Sequence, residues 1–185
     1  PASLEKFLTN GEPPVYIGFG SVSGKVGETL PEAIVSAVKK IGVRAVVAFG
    51  PDMSESVRQS LPGDIYPLDR TPHTWLFPHM AAVVHHGGAG TVAAGLRAGK
   101  PTVVCPLMTD QPFWARRVYE LGVGPRPVPL KKLTADRLAE ALHTALNDSN
   151  MIERAHRLGR QLQEEDGVGR AVAQLERWVH RFADE

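Results

Sequence analysis

Short apolar runs alternate along this chain with longer segments in which the apolar residues recur every three or four positions. The short runs are bounded by glycine, proline or polar residues, as expected for buried β-strands. They predict strands at 15–20, 44–49, 64–68, 81–85, 102–105 and 123–128. The longer segments have the spacing of amphipathic helices. They predict helices at 4–8, 29–41, 54–60, 72–77, 90–98, 113–121, 134–146, 149–165 and 168–183.

Strands that alternate with helices indicate a parallel sheet covered on both sides. We therefore predict an α/β fold: a Rossmann-like, doubly wound parallel sheet of about six strands with helices on both faces. It would form a single domain at residues 15–185, and residues 1–14 have the composition of a linker segment. Ligands of such sheets bind beyond the carboxyl ends of the strands. The loops that follow the strands ending at Gly20, His85 and Cys105 should therefore meet at one cleft.

Composition narrows the possible classes of function. The chain has 185 residues, 43% of them hydrophobic, which suits one domain with a full core. Its net charge is +1 and its basic residues are scattered, so nothing favours a nucleic-acid partner. No apolar run approaches the roughly 18 residues of a transmembrane helix, and no signal peptide is evident.

The cysteine content and the first residue indicate the cellular compartment and the extent of the protein. Cys105 has no second cysteine to pair with, which is compatible with a reducing compartment, and we expect a cytoplasmic protein. The chain begins at Pro1 instead of methionine, and we expect it to be a piece of a longer protein.

The segment His85-His86-Gly87-Gly88-Ala89-Gly90-Thr91 joins a predicted strand to a predicted helix. Glycines at such a turn let the backbone approach a ligand closely. The free N–H groups and the dipole of the helix then favour an anion, typically a phosphate. Adjacent strand residues point to opposite faces, so one histidine is expected to be buried and structural. His86, which abuts the turn, is the better candidate for a ligand contact.

Asp110 and Gln111 follow the next predicted strand and precede Pro112. An Asp before a proline is typical of a helix start, so Asp110 could simply cap the helix. Alternatively, the carboxylate accepts hydrogen bonds from two neighbouring hydroxyls, while the amide accepts one and donates another. A phosphate cradle together with a carboxylate–amide pair indicates a nucleotide-linked sugar as the ligand.

Two other ligand classes fit this chain poorly. Gly18-Phe19-Gly20 resembles the start of a dinucleotide fingerprint, but Ser23 stands at the third glycine position. No acidic residue ends the second predicted strand, so an NAD site fails both tests. His85 and His86 are poorly placed to bind one metal together, and we predict no metal site.

Two features have two interpretations each. The last predicted helix carries a helical-period apolar stripe, which is most simply core but could dock a missing domain. Its members are Ala171, Val172, Leu175, Trp178, Val179 and Phe182. Trp114 is compatible with a core position and with a cleft wall.

The segment at 77–118 reads FPHMAAVVHHGGAGTVAAGLRAGKPTVVCPLMTDQPFWARRV. It resembles the sugar-donor motif of family 1 glycosyltransferases, particularly sterol 3-β-glucosyltransferases and bacterial natural-product glycosyltransferases. The preceding VYIGFGS resembles the first strand of their C-terminal domain. The resemblance implies the donor-binding half of a two-domain GT-B enzyme. Its N-terminal acceptor domain, with the histidine general base, would lie outside this chain.

The resemblance also implies roles for individual residues. His86 would contact the diphosphate, and Gly88, Gly90 and Thr91 would present N–H or hydroxyl groups to it. Ser21 would approach the phosphates or sugar from the first loop. The sugar hydroxyls would be held by Asp110 and Gln111. Uracil would be recognised around Thr71, Pro72 and His73.

The implied reaction is an inverting transfer of a hexose to a hydroxyl of a lipophilic acceptor, a sterol or another natural product. It needs no cofactor and no metal, and this domain alone would be inactive. Two departures from the plant pattern leave UDP and dTDP both open: Arg70 replaces a stacking tryptophan, and Ala94 replaces a glutamate for the ribose. Alternative functions are a nucleotide-sugar epimerase-like relative and a non-catalytic nucleotide-binding or interaction module.

Overall fold

The computed structural model describes residues 1–20, 25–49, 58 and 61–183. The glycine-rich loop after Gly20, with the candidate ligand Ser21, lies outside the described residues. So does the short helix predicted at 54–60, apart from Arg58.

A parallel sheet forms the centre of the fold, and its described part has five strands in the order β3-β2-β1-β4-β5. Each strand coincides with a predicted one, which confirms the doubly wound α/β fold. The strands are β1 (Val15–Gly18), β2 (Ala45–Ala48), β3 (Ile65–Pro67), β4 (Val83–His85) and β5 (Thr102–Val104).

The prediction of a sixth strand at 123–128 is wrong. This segment runs beside β5 and exchanges only two backbone hydrogen bonds with it: Thr102 N–H to Val123 O at 2.9 Å and Val128 N–H to Val104 O at 3.2 Å. Pro125 and Pro127 have no N–H to donate, so a continuous ladder cannot form.

Helices follow the strands as the apolar spacing predicts, with bounds that differ by a few residues. They are α1 (Ala2–Thr9), α2 (Lys25–Ile41), α3 (His73–Leu76), α4 (Ala89–Arg97), α5 (Gln111–Glu120), α6 (Ala135–Asn147), α7 (Ser149–Glu164) and α8 (Gly167–Ala183). Two 3₁₀ turns lie at Phe77–His79 and Leu130–Lys132. No helix in the described part of the chain combines the length and apolar character needed to cross a bilayer.

The two faces of the sheet bury separate cores. Val15 and Ile17 of β1 point to the face covered by α2 and α6. Tyr16, between them, points to the opposite face and packs with Phe77 and with Leu4 of α1. The segment predicted as a linker thus contributes a fully buried side chain to the domain. The period-two alternation of β1 places helices on both sides of the sheet.

The strand register aligns the carboxyl ends at one edge of the sheet. Gly18 of β1 lies opposite His85 of β4, and His85 lies opposite Val104 of β5. The three segments that follow these residues therefore leave the sheet at the same level, which positions the candidate ligand residues.

The apolar stripe of α8 is not core at the members whose side chains the structure describes, and the side chain of Phe182 lies outside that description. Leu175 is 56% exposed and Trp178 is 49% exposed, and Val168, Val172 and Val179 are exposed with them. Of the two interpretations of the stripe, burial within this domain is therefore wrong. A docking surface remains a hypothesis.

Candidate functional site

His86 lies in a cradle formed by two glycines at the carboxyl edge of the sheet. A Cβ atom at Gly20, where φ is +66°, would lie 3.5 Å from His86 Cε1, and one at Gly88 would lie 2.9 Å from Nε2. The imidazole Nδ1 is buried and has no hydrogen-bond partner among the described residues. Burial lowers the pKa of His86, while the nearby Asp110 carboxylate opposes this. The lowered pKa favours the neutral ring at pH 7, and a ligand or an ordered water could satisfy its buried nitrogen.

Its neighbour His85 is the buried structural histidine that the sequence predicts for one member of the pair. It is fully buried, and its Nδ1 accepts a hydrogen bond from Gly87 N–H at 2.9 Å. Burial, together with smaller contributions from the charges of His86 and His73, lowers its pKa to about 3. His85 fixes the turn that carries His86.

The turn leads directly into α4, whose first residues face the same space. Gly88 is the N-cap, and no side chain among the described residues caps the helix. The N–H of Thr91 donates to Gly88 O at 3.0 Å, so Thr91 has only its hydroxyl to offer a ligand. Gly90 is exposed with open space around it. The N–H groups of Ala89 and Gly90, at the first two positions of α4, have no acceptor within the helix, and a helix end of this kind is able to bind an anion.

Asp110 and Gln111 stand at the start of α5, close to the glycine turn. A Cβ atom at Gly87 would lie 3.3 Å from Gln111 O, which measures how near the two loops come. Asp110 is the N-cap residue by position, but its carboxylate makes no capping hydrogen bond in the described structure. Instead it accepts a hydrogen bond from Trp114 Nε1 at 2.8 Å, and it lies 3.1 Å from Thr109 Oγ1, whose single proton also has Met108 O as an acceptor at 2.8 Å. The helix-capping interpretation of Asp110 is therefore wrong.

The predicted nucleobase segment follows β3. The hydroxyl of Tyr16 and Nε2 of His73 lie 3.3 Å apart in a hydrogen bond, and the His73 ring stacks on Phe77 with centroids 4.4 Å apart. Burial raises the pKa of Tyr16 to about 12, so its hydroxyl keeps its proton. Arg70 and Pro72 are exposed, and Thr71 is half-buried. Arg70 therefore has an accessible side chain at the position of the plant tryptophan.

Three features of this site were missed by sequence reasoning. Tyr16 and His73 are far apart in the sequence, and no local pattern indicates their contact. Thr109 has φ of +55°, an uncommon conformation for a β-branched residue. The hydrogen bond from Trp114 to Asp110 was predictable from the sequence spacing, because residues four apart lie on the same face of a helix.

The arrangement brings together a neutral imidazole, a helix N-terminus and a carboxylate–amide pair. Together these can bind an anion on one side and a polyol on the other. No group of three or more His, Cys, Asp or Glu side chains within the described ranges could hold a metal ion.

Comparison with known proteins identifies the chain. The sequence profile of the family "Erythromycin biosynthesis protein CIII-like, C-terminal domain" matches residues 32–173. The sterol 3-beta-glucosyltransferase UGT80A2 of Arabidopsis thaliana is 42% identical over 173 residues, which is 93% of this chain and 27% of that protein. The O-mycaminosyltylonolide 6-deoxyallosyltransferase of Streptomyces fradiae is 40% identical over 177 residues, which is 95% of this chain and 40% of that protein.

Solved structures of glycosyltransferases are also similar to this chain. The calicheamicin glycosyltransferase CalG4 superposes with a TM-score of 0.77 at 26% identity, covering 93% of this chain and 44% of that one. The glycosyltransferase VinC in complex with dTDP superposes with a TM-score of 0.75 at 25% identity, covering 95% of this chain and 44% of that one. The chain spans 27% and 40% of the lengths of these two curated relatives. It belongs to the erythromycin biosynthesis protein CIII-like family of glycosyltransferase C-terminal domains.

Proposed function

We propose that this chain is the nucleotide-sugar-binding domain of a glycosyltransferase that transfers a hexose to a hydroxyl of a lipophilic acceptor, a sterol or another natural product. The observation that carries the proposal is the His86 cradle. The Nδ1 atom of the His86 ring is buried beside Gly20 without a partner among the described residues, and its Nε2 atom lies beside Gly88, the N-cap of α4, at the edge of the sheet that also holds Asp110. A diphosphate would satisfy both the imidazole and the free N–H groups.

The proposed reaction is an inverting displacement at the anomeric carbon of the sugar. The acceptor oxygen forms the new bond as a base removes its proton, and the bond to the nucleoside diphosphate breaks. Negative charge then develops on the diphosphate. His86 and the backbone N–H groups of Gly88 and Gly90 would stabilise that charge, because they are already in place before the reaction begins. The base would come from the acceptor domain, so this chain alone should turn nothing over.

Calorimetric titration of the chain with UDP, dTDP, UDP-glucose and NAD, each with and without magnesium, tests the proposal. We expect metal-independent binding of a uridine or thymidine nucleotide and of its sugar conjugate, and no binding of NAD. The dTDP arm is included because the similar VinC structure is a complex with dTDP. A chain that is folded by circular dichroism but binds none of the nucleotides at millimolar concentration would contradict the proposal.

Asp110→Ala distinguishes a sugar contact from a structural role. We expect the variant to bind UDP-glucose about tenfold more weakly and UDP within about twofold of the wild type, because a hydrogen bond to a charged group contributes about 1.5 kcal/mol or more. Asp136→Ala is the matched control, since Asp136 is an exposed carboxylate whose partner is Lys40. Equal losses for UDP and UDP-glucose would assign Asp110 to folding.

The acceptor domain is proposed as the partner of α8. The relatives extend well beyond the matched region, and the stripe at Val172, Leu175 and Trp178 is an exposed apolar surface of the kind that partners cover.

The double variant Val172→Ser/Leu175→Ser tests this docking surface. In the isolated chain we expect a change in unfolding free energy below about 1 kcal/mol, because exposed substitutions remove little buried area. Leu142→Ser, at a fully buried position of α6, should cost about 3 kcal/mol or more in the same assay. In the full-length protein the double variant should lower the melting temperature by several degrees. An equal effect in both forms would refute docking.

A further inference from the structure

The glycine at position 18 makes room for the side chain of Tyr16. A Cβ atom at Gly18 would lie 2.2 Å from the hydroxyl oxygen of Tyr16 and 2.7 Å from its Cζ atom. The two residues are two apart on β1, so both belong to the same face of the sheet. The Tyr16 side chain therefore extends along the strand, over the place that a side chain at position 18 would occupy. The packing of Tyr16 thus accounts for the first glycine of the segment that resembles a dinucleotide fingerprint.

This placement brings the Tyr16 hydroxyl to the ring of His73. The hydroxyl oxygen and Nε2 of His73 lie 3.3 Å apart. The His73 ring also stacks on Phe77, with 13° between the ring planes, and it meets Tyr16 edge to face with centroids 5.5 Å apart. Tyr16 is 4% exposed and Phe77 is fully buried in the same core cluster. Two side chains that are fixed in the core therefore hold the half-buried ring of His73.

The hydroxyl proton determines the direction of this hydrogen bond. Burial raises the pKa of Tyr16 to about 12, so the hydroxyl keeps its proton at neutral pH. Among the described residues, Nε2 of His73 is the only hydrogen-bond partner of this hydroxyl, and a buried O–H without an acceptor is unfavourable. Burial lowers the pKa of His73, which favours the neutral ring and leaves one nitrogen free to accept. The hydroxyl therefore donates to Nε2, and the proton of the neutral His73 ring is on Nδ1.

The other nitrogen of His73 is left as a donor that is open to a ligand. No described residue forms a hydrogen bond with Nδ1, and Nδ1 is not one of the buried atoms that lack a partner. In a neutral imidazole, the tautomer decides whether such a free nitrogen donates or accepts. His73 belongs to the segment at 70–73 that the sequence predicts to contact the nucleotide. The contact with Tyr16 thus leaves this segment with a donor of fixed direction.

We propose that Tyr16 is a positioning residue whose hydroxyl fixes the orientation and the tautomer of His73, so that Nδ1–H of His73 is presented to an acceptor oxygen of the bound nucleotide. This inference rests on the proposed function and adds to it a buried residue of the sheet that acts through His73. Gly18 is part of the same arrangement, because a side chain at that position would displace the Tyr16 hydroxyl.

Imidazole ¹⁵N chemical shifts test the tautomer without any nucleotide. We expect the wild-type chain to carry the His73 proton on Nδ1, and Tyr16→Phe to move towards the Nε2–H form that an unconstrained neutral histidine favours. Tyr66→Phe is the matched control, since it removes a hydroxyl that lies 2.9 Å from Ser3 Oγ beside the same core cluster. It should leave the His73 signals unchanged. A wild-type His73 in the Nε2–H form, or an unchanged tautomer in Tyr16→Phe, would overturn the inference.

A double-mutant cycle with UDP tests whether Tyr16 acts through His73. We expect Tyr16→Phe to weaken UDP binding about fivefold, because one oriented hydrogen bond to the ligand is lost. His73→Ala should lose at least as much. In the His73→Ala background, Tyr16→Phe should change the affinity less than about twofold, since two residues that act as a unit are not additive. Equal losses from Tyr16→Phe in both backgrounds would assign Tyr16 to the fold alone, and Tyr66→Phe should bind UDP as the wild type does.

The outcomes separate the two proposals. If the wild-type chain shows the Nδ1–H tautomer but does not bind UDP, the proposed function fails and takes the nucleotide contact of His73 with it. If the chain binds UDP and Tyr16→Phe alters neither the tautomer nor the affinity, the positioning role is overturned while the proposed function stands. Should Tyr16→Phe fail to fold, Gly18→Ala displaces the hydroxyl without removing it. An unchanged tautomer and unchanged UDP affinity in Gly18→Ala would also overturn the inference.

Discussion

Replacing His86 by alanine is expected to weaken the binding of UDP by roughly 10- to 150-fold, since a hydrogen bond to a charged group contributes about 1.5 to 3 kcal/mol. The imidazole is half-buried between Gly20 and Gly88, and its Nδ1 has no partner in the described part of the chain. A diphosphate oxygen would supply the missing partner. UDP and UDP-glucose should lose similar affinity, in contrast to Asp110→Ala.

The measurement is calorimetric titration of the variant beside His143→Ala. His143 is an exposed histidine on α6, so its replacement controls for the loss of an imidazole without touching the site. Gly88→Ala offers an independent approach, because its Cβ would lie 2.9 Å from His86 Nε2 and force the ring to move. Normal UDP affinity in His86→Ala would refute the assignment of His86 to the diphosphate.

The second large effect is a loss of stability in mild acid. Burial lowers the pKa of His85 to about 3, whereas an unfolded histidine has a pKa near 6.5. Between these values the unfolded chain binds a proton that the folded chain does not. Unfolding is therefore favoured as the pH falls below about 6.5, by up to about 1.4 kcal/mol per pH unit until the pH approaches 3. His73 and His86, whose pKa values burial also lowers, act in the same direction.

Urea unfolding at pH 7, 6 and 5 measures this dependence, in a window where most carboxylates stay ionised. His85→Asn should reduce the slope of unfolding free energy against pH, because Asn does not titrate and its amide oxygen can still accept the Gly87 N–H. His143→Asn is the exposed control and should keep the wild-type slope. An undiminished slope in His85→Asn would show that His85 is not the group responsible.

Much of the site was predictable because its signals are local. Glycines between a strand and a helix, and an Asp-Gln pair before Pro112, mark places where a backbone turns and polar groups face outward. Parallel strands share a carboxyl edge, so the sequence alone predicts that three separate segments meet at one cleft. The incorrect strand prediction at 123–128 also has a local cause, because this segment has an apolar pattern but Pro125 and Pro127 have no N–H groups for a ladder.

Other features depend on contacts between distant residues. The bond between Tyr16 and His73 exists because β1 and α3 meet on one face of the sheet. The amide oxygen of Gln111 accepts hydrogen bonds from the N–H groups of Leu107 and Met108, which is a property of the folded loop. Neither contact has a periodicity or a motif that a sequence could display.

The sequence by itself determined the α/β class and the order of strands and helices along the chain. It also determined which residues follow the carboxyl ends of the strands. Period-two and helical spacing record which side of an element is apolar, and glycine and proline record where the backbone turns. Only the tertiary structure decided what each side faces. It buried His85 and left His86 with an unsatisfied nitrogen, and it exposed the apolar stripe of α8, because burial depends on which elements pack together and not on the pattern within any one of them.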